Sequence, residues 1–447
     1  MRRSRFPTAA PLALLVVAAD PSELASQTAD LGSRVDAAVE RVTTEIIDLR
    51  HRIHQNPELG NREFDTARLV ADHLRALGIE VETEIAHTGV VGVIEGGRPG
   101  PVVAVRADMD ALPVTEQTDF PFRSTKTGTY LGQEVGISHA CGHDIHVAVQ
   151  LGVASVLAGL REDLPGTVVL IFQPAEEGPP PGEEGGAEMM VAEGVLAEPA
   201  PQAIFALHSW PTFEVGEVGW TVGPAMASSD HFRITIRGRQ SHGAWPHESV
   251  DPVVTAAQAV LALQTIRSRN LDPREPGVLS VGMIQGGERY NIIPETVRLE
   301  GTVRTYSPAV QDTIERRIEE ILDGVTRAAG ATYELEYERN NPATINDPEL
   351  AALMRPTLER VLGAGRVVDD RPVMGAEDFS FFANEIPGLY FRLGVVAPGT
   401  TSGGLHTPTF RGDDTAVPVG IRAMTHLVID YLQMTAWLPP SSAPPGP

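Results

Sequence analysis

The sequence predicts a two-domain α/β fold, a mainly parallel-sheet domain carrying an inserted β-α-β-β-α-β domain. Three observations predict it. At 447 residues the chain exceeds what one hydrophobic core ordinarily serves. Short continuous apolar runs alternate with helical patterns through the first half, which implies a sheet covered on both faces. Near Gly223-Pro224 the texture changes to strands of alternating polarity, as in a sheet with one solvated face.

Taken in order, residues 33–55 carry a helical pattern. A second helix runs from Glu63 to Leu77, with Phe64, Ala67, Val70, Leu74 and Leu77 on one face and Gly78 as its stop. Val90–Glu95 and Val102–Arg106 are β-branched strands. Val147–Leu160 reads as a helix, Thr167–Phe172 as a buried strand and Ala203–Leu207 as another. In the inserted part Phe232, Ile234 and Ile236 point one way along His231–Arg237. A helix from Pro252 to Arg267, strands Val278–Ile284 and Val297–Val303, and an amphipathic helix Pro308–Ala328 complete that unit. Leu389–Leu393 is then a strand and Thr415–Leu432 a closing helix. The main domain therefore occupies 33–222 and 336–435, around an insert of 223–335.

The ends differ in texture. Met1 to Arg5 is basic and Thr8 to Ala19 is apolar, the grammar of a signal peptide in residues 1–20. It implies export to the periplasm or beyond. The bland alternative is a disordered start with a chance apolar patch in a cytoplasmic protein. The run is too short for a stable membrane span. Residues 436–447 are rich in proline and serine and are expected to be disordered.

A net charge of −24 excludes a nucleic-acid partner, because phosphate binding needs a basic face, and it disfavours anionic lipid. An anionic substrate would need local positive charge. The single cysteine rules out an internal disulfide.

That cysteine opens the run Cys141-Gly142-His143-Asp144-Ile145-His146, a dense set of metal-ligand types. On residue type alone a lone cysteine is usually a buried, inert thiol, but the neighbours of Cys141 argue for a ligand. Glu176 and Glu177 follow a strand, as does His208, and His406 lies in a Gly-rich turn. Groups beyond the carboxyl ends of parallel strands can converge. Five groups of mixed S, N and O character suit two divalent ions better than one, since a four-coordinate zinc would leave a ligand unused. Manganese and zinc lead, with nickel and cobalt compatible. Adjacent side chains diverge, so one of Glu176 and Glu177 can coordinate while the other stays free as a base beside activated water. Taken alone, the pair could equally be a solvated acidic loop.

Several ordered motifs then match a known family. They are His54-Gln55-Asn56-Pro57-Glu58-Leu59, the run from Arg106 to Pro113, the run from Cys141 to Asp144, and the run from Gln173 to Gly178. The runs His242–His247, Asn291–Pro294, Gly375–Ser380 and Leu405–Pro408 complete the set. Over residues 45–435 the chain resembles the metal-dependent amidohydrolases that include N-acyl-amino-acid hydrolases, hippurate hydrolases and plant auxin-conjugate hydrolases. The resemblance implies a dinuclear site with Cys141, His143, Glu177, His208 and His406 as ligands and Glu176 as general base. It implies that the insert is a lid used for dimerisation, and that His242 polarises the scissile carbonyl, across a dimer. Asn291 and Arg304 would hold a substrate carboxylate, which a guanidinium fork on a strand suits. Arg304 could also be a plain exposed strand arginine.

Two departures stand out. Carboxypeptidases of the same clan have a metal-binding histidine where this chain has Arg106, so the metal set depends on Cys141, and Asp108 becomes a supporting group. Ser241 replaces a usual glycine. The expected reaction is hydrolysis of an N-acyl-amino acid (acetyl, benzoyl or similar) to a carboxylic acid and a free amino acid. A dipeptidase or carboxypeptidase using the same site is the alternative, and a non-catalytic metal- or ligand-binding protein is a third reading.

Overall fold

The computed structural model describes residues 21–435. The expected signal peptide and the expected disordered tail lie outside the described residues. Eight strands form the main sheet, in the order Glu80–Ile85, Gly89–Glu95, Pro165–Gln173, Arg98–Asp108, Ile204–Glu214, Gly388–Val396, Val218–Trp220 and Val367–Asp369. From Pro165–Gln173 to Gly388–Val396 the four central strands run parallel. These strands are apolar without alternation because helices cover both faces. Gly388–Val396 is buried at every position.

Helices Pro21–Gln55, His143–Leu160 and Ala416–Thr435 pack together on one face. Short helices Gly186–Ala192 and Ser380–Glu385 cover the other, around Phe379, Phe382 and Tyr390. Among the described residues, the one helix long and apolar enough to cross a membrane is His143–Asp163, and 83% of its window is buried inside the domain, as in a core helix.

Two expected elements differ. Helix Phe64–Ala76 buries Thr66, Val70, Ala71 and Leu74, while Phe64 is 59% exposed. Val70 and Leu74 of the expected face are buried and Ala67 and Leu77 pack against the core beside them, so only Phe64 departs from it, lining a surface groove with Thr88 and Met189. The helix expected from Val147 starts at His143 instead. Its first turn holds His143, Asp144 and His146, which break the apolar pattern yet are all buried. Polar groups bury when partnered, and periodicity alone does not reveal partners.

The inserted unit is a four-stranded antiparallel sheet ordered Gly277–Gln285, Thr296–Thr305, Ser229–Arg237 and Thr332–Asn341. Helices Pro252–Thr265 and Pro308–Ala329 cover one face through Phe232, Ile234, Ile236, Leu263, Ile318 and Leu322. The sheet spans residues 229–341, so its last strand runs beyond the expected end at 335. Gly223–Met226 pairs instead with Thr344–Asn346, which ties the outgoing and returning chain together between the domains.

The long first helix is pinned to the start of His143–Leu160 by buried charge. Asp144 Oδ2 accepts from Arg50 Nε at 2.9 Å and lies 3.0 Å from His54 Nδ1. His54 Nε2 lies 3.2 Å from both Glu116 oxygens. Burial lowers the His54 pKa, but Asp144 and Glu116 outweigh it and raise it from 6.5 to about 9. Stability from this charge is fully present below the unfolded value of 6.5 and is lost as pH rises through about 9. The unfolding free-energy gap between wild type and His54→Gln should therefore narrow by roughly 3 kcal/mol from about pH 6 to about pH 10. Denaturant titrations across that range test it, and a gap that ignores pH refutes the charged state of His54.

Candidate metal centre

The site forms where the parallel strands end, the usual place for ligands in an open α/β sheet. Strand Arg98–Asp108 delivers Asp108, and Asp110 follows two residues on. Pro165–Gln173 leads into the turn that carries Glu176 and Glu177. His208 lies within Ile204–Glu214, which continues past its expected end at Leu207 because Gly388–Val396 pairs along it as far as Glu214. Cys141 and His143 flank Gly142, whose φ is 86°. A Cβ there would meet Ser209 Oγ at 2.2 Å, so only glycine lets this loop pack onto the strand. His406, also left-handed at φ 61°, is held by its N–H donating to Ala140 O at 2.8 Å.

These side chains converge. Cys141 Sγ lies 3.4 Å from His208 Nε2 and 3.3 Å from His406 Nε2. His406 Nε2 is 3.0 Å from Glu177 Oε1. His143 Nε2 is 3.8 Å from Glu176 Oε2 and 4.0 Å from Glu177 Oε1. The two adjacent carboxylates, expected to diverge, both approach one imidazole because the turn curls at Ala175, φ 49°. Among the described residues five groupings could each hold an ion, and three of them draw on the groups singled out from the sequence: Cys141–His143–His208, Cys141–Glu177–His406 and His143–Glu176–Glu177. Cys141, His143 and Glu177 each belong to two of these three.

A direct observation supports the fit. His143 Nε2 is buried without a hydrogen bond, and Glu177 Oε1 is met by the His406 ring at 3.0 Å. A buried polar atom such as His143 Nε2 costs about 1–3 kcal/mol when nothing engages it. Aimed together with a thiol and the His208 ring, these groups make a donor set suited to a borderline divalent cation.

A layer beneath fixes these donors. Asp110 Oδ1 is 3.2 Å from His143 Nδ1 and accepts the Glu176 N–H at 3.1 Å; its Oδ2 accepts the Glu177 N–H at 3.0 Å. Asp108 Oδ1 is 2.5 Å from His146 Nδ1, and His146 Nε2 accepts the Ser209 N–H at 2.7 Å. With both ring nitrogens engaged, His146 orients its neighbours and has no free nitrogen for a cation. His208 Nδ1 lies 2.8 Å from Ser209 O, which leaves Nε2 facing Cys141. Carboxylate and carbonyl partners of this kind set the tautomer of a ligand histidine. Arg106, fully buried, donates to Gln173 Oε1 and Asp108 Oδ2 at 2.7 Å and to Asp378 Oδ1 at 2.9 Å, and lies 3.0 Å from Glu377 Oε1.

Burial, then Glu377 and Glu177, push the Glu176 carboxyl well above its usual range. Burial, then Glu177, likewise push up the Cys141 thiol. Asp378 rises to about 7, by burial opposed by Arg106. Metal ligands must shed protons on binding, so a cation competes with the protons these shifts favour.

Arg304 lines the same cleft, about 680 Å³, as Cys141, Glu176, Glu177, His208 and Trp210. It is half-buried, and its guanidinium makes no hydrogen bond or ion pair among the described residues. His242 and Asn291 do not line that cleft. They meet on a two-residue ladder, Ser241–His242 against Ile292–Ile293, where the Gly243 N–H donates to Asn291 O at 2.8 Å. His242 is exposed, and its Nδ1 accepts the Ala244 N–H at 3.0 Å. Ser241 pairs with Ile293 as ordinary strand. Asp110 and Glu377 had no role assigned from the sequence. Asp110 carried one usable signal, an acid just past a buried strand like the glutamate pair.

Fold and site together define a hydrolase of the metallopeptidase type. The chain belongs to peptidase family M20/M25/M40, whose pattern matches residues 104–430. It is 39% identical over 368 residues to thermostable carboxypeptidase 2 of Saccharolobus solfataricus, covering 82% of this chain and 90% of that protein. It is 36% identical over 373 residues to the N-acetyl-L-cysteine deacetylase of Bacillus subtilis, covering 83% and 85%. The crystal structure of the Bacillus subtilis YXEP protein, a dinuclear metal-binding peptidase of family M20, superimposes with a TM-score of 0.75 at 32% identity, covering 89% and 99%.

Removing Cys141 or Asp110 should reduce bound metal. After dialysis against zinc or manganese, Cys141→Ser should retain fewer ions per chain than wild type by elemental analysis. Asp110→Ala should bind at least about tenfold more weakly. Unchanged stoichiometry in Cys141→Ser would remove the thiol from the ligand set.

Proposed function

We propose that the protein hydrolyses the amide bond of N-acyl-amino acids, releasing a carboxylic acid and a free amino acid. One observation carries this reading: Glu176 stands on the cleft beside the donor groups, 3.8 Å from His143 Nε2, while the five other donors suffice as ligands. A binding protein needs no spare carboxylate there. Cys141, His143, Glu177, His208 and His406 would hold two divalent ions, manganese or zinc foremost. Such ions polarise a carbonyl and lower the pKa of water towards neutrality.

The chain's own groups do the rest. Glu176 takes a proton from the attacking water and returns it to the leaving amine nitrogen. Arg304, whose guanidinium makes no hydrogen bond or ion pair among the described residues, binds the substrate carboxylate, aided by Asn291. His242 donates to the carbonyl oxygen as charge develops there. His242 and Asn291 lie outside the cleft of their own chain, so a second copy supplies them in a homodimer formed through the inserted domain. Exposed Trp245 and Tyr290 beside that ladder support such an interface, Tyr290 being 96% exposed. The deacetylase relative supports the N-acyl reading. The carboxypeptidase relative keeps a second one open, in which the substrate is a peptide with a free amino group. Export, the acyl group and the native metal are part of the same proposal.

Glu176→Gln should lose at least about a thousandfold in kcat while keeping wild-type metal content. Near-normal turnover would end its assignment as base. Inactive Glu176→Gln and inactive His242→Ala, mixed and allowed to exchange subunits, should recover a measurable fraction of activity, because each hybrid dimer keeps one complete site. No recovery from verified hybrids would place His242 in its own chain's site. Blocked substrates should outrun the matching free dipeptides in a release assay, and the reverse order favours the peptidase reading.

A further inference from the structure

Glu63 is a wholly buried carboxylate that the hydrolytic scheme leaves unused. Helix Phe64–Ala76 begins beside it, yet its side chain does not cap that helix. Glu58 does so, accepting the Thr66 N–H at 2.9 Å. Glu63 turns the other way. Its Oε1 accepts the Ala175 N–H at 2.8 Å, and its Oε2 accepts the Thr88 hydroxyl at 2.6 Å.

Ala175 is the hinge of the turn that presents Glu176 and Glu177. Its φ of 49° lies in the left-handed region that residues with a Cβ avoid. Such a conformation persists only where surroundings enforce it. The next two amides, of Glu176 and Glu177, are held by Asp110. Three successive N–H groups are thus gripped by two buried carboxylates. Space is reserved as well: a Cβ on Gly60 would meet Gly178 O at 2.8 Å and the Ala175 Cβ at 3.1 Å.

We propose that Glu63 is a positioning residue, which holds Ala175 left-handed through its N–H and so aims Glu176 and Glu177 together. This rests on reading Glu176 as base and Glu177 as ligand. The test compares Glu63→Gln, Glu63→Leu and Glu63→Leu/Ala175→Gly in zinc affinity and in kcat and KM on acetyl- and benzoyl-amino acids. Glutamine keeps an oxygen for the Ala175 N–H and an amide that the Thr88 hydroxyl can accept, so it should stay within about threefold of wild type in both readouts. Leucine should weaken zinc binding and lower kcat by about tenfold or more, with KM changed by less than about threefold. Glycine at 175 adopts positive φ freely and should recover several-fold of the leucine loss.

A leucine variant with wild-type zinc affinity and kcat would overturn the proposal. So would glutamine failing as badly as leucine, which would mean that charge, and not the accepted hydrogen bond, is what matters. Should the leucine variant not fold, Thr88→Val removes only the hydroxyl that steers Glu63. It should still weaken zinc binding and kcat by about twofold or more, and no change would overturn the proposal. If wild type turns over no substrate, the base reading of Glu176 falls, and zinc affinity alone decides the role of Glu63.

Discussion

Buried negative charge is the constraint from which the site follows. Asp108, Asp110, Glu176, Glu177, Glu377 and Asp378 crowd one end of the main sheet, together with the Cys141 thiol. Ionised carboxylates survive burial only when paired or coordinated. Arg106 answers the lower layer, contacting Asp108, Glu377 and Asp378 at once. The upper layer of Glu176, Glu177 and Cys141 has no such arginine among the described residues. Protons or a divalent cation must offset its charge, and His143 Nε2, which makes no hydrogen bond, faces the same space.

The parallel sheet explains why these groups meet at all. Its central strands all point their carboxyl ends the same way, so residues far apart in sequence leave the sheet within reach of one another. Asp110 then works as a clamp between elements. It holds the His143 ring from the helix that follows Gly142 and two amides from the turn after Pro165–Gln173. Behind His143, Asp144 ties the same helix to Arg50 and His54 of the first helix. Ligand placement and core packing therefore share one network, and disturbing either is felt by the other.

Much of this was legible in the chain. The continuous apolar strands and the alternating Phe232, Ile234 and Ile236 announce the two sheet types, because burial on two faces or on one leaves different patterns. The ligand-rich run at Cys141 and the acid pair at Glu176 announce the donors by type. Other features were hidden for physical reasons. The helix starts at His143 because its polar first turn is satisfied by Asp108, Asp110 and Arg50, none of them near it in sequence. The approach of both Glu176 and Glu177 to one imidazole depends on a left-handed alanine that no propensity favours.

What the sequence determined by itself is the fold class, the order of its elements and the kinds of donor atom, since periodicity and residue chemistry are local properties. What only the tertiary structure decided is which atoms face one another: Asp110 as the clamp, His146 engaged at both nitrogens, Arg304 on the cleft and His242 away from it. Those outcomes depend on distances between residues from 33 to 265 positions apart. Such distances are set by sheet register and by close backbone approaches, such as Gly142 against Ser209, and leave no periodic trace in the chain.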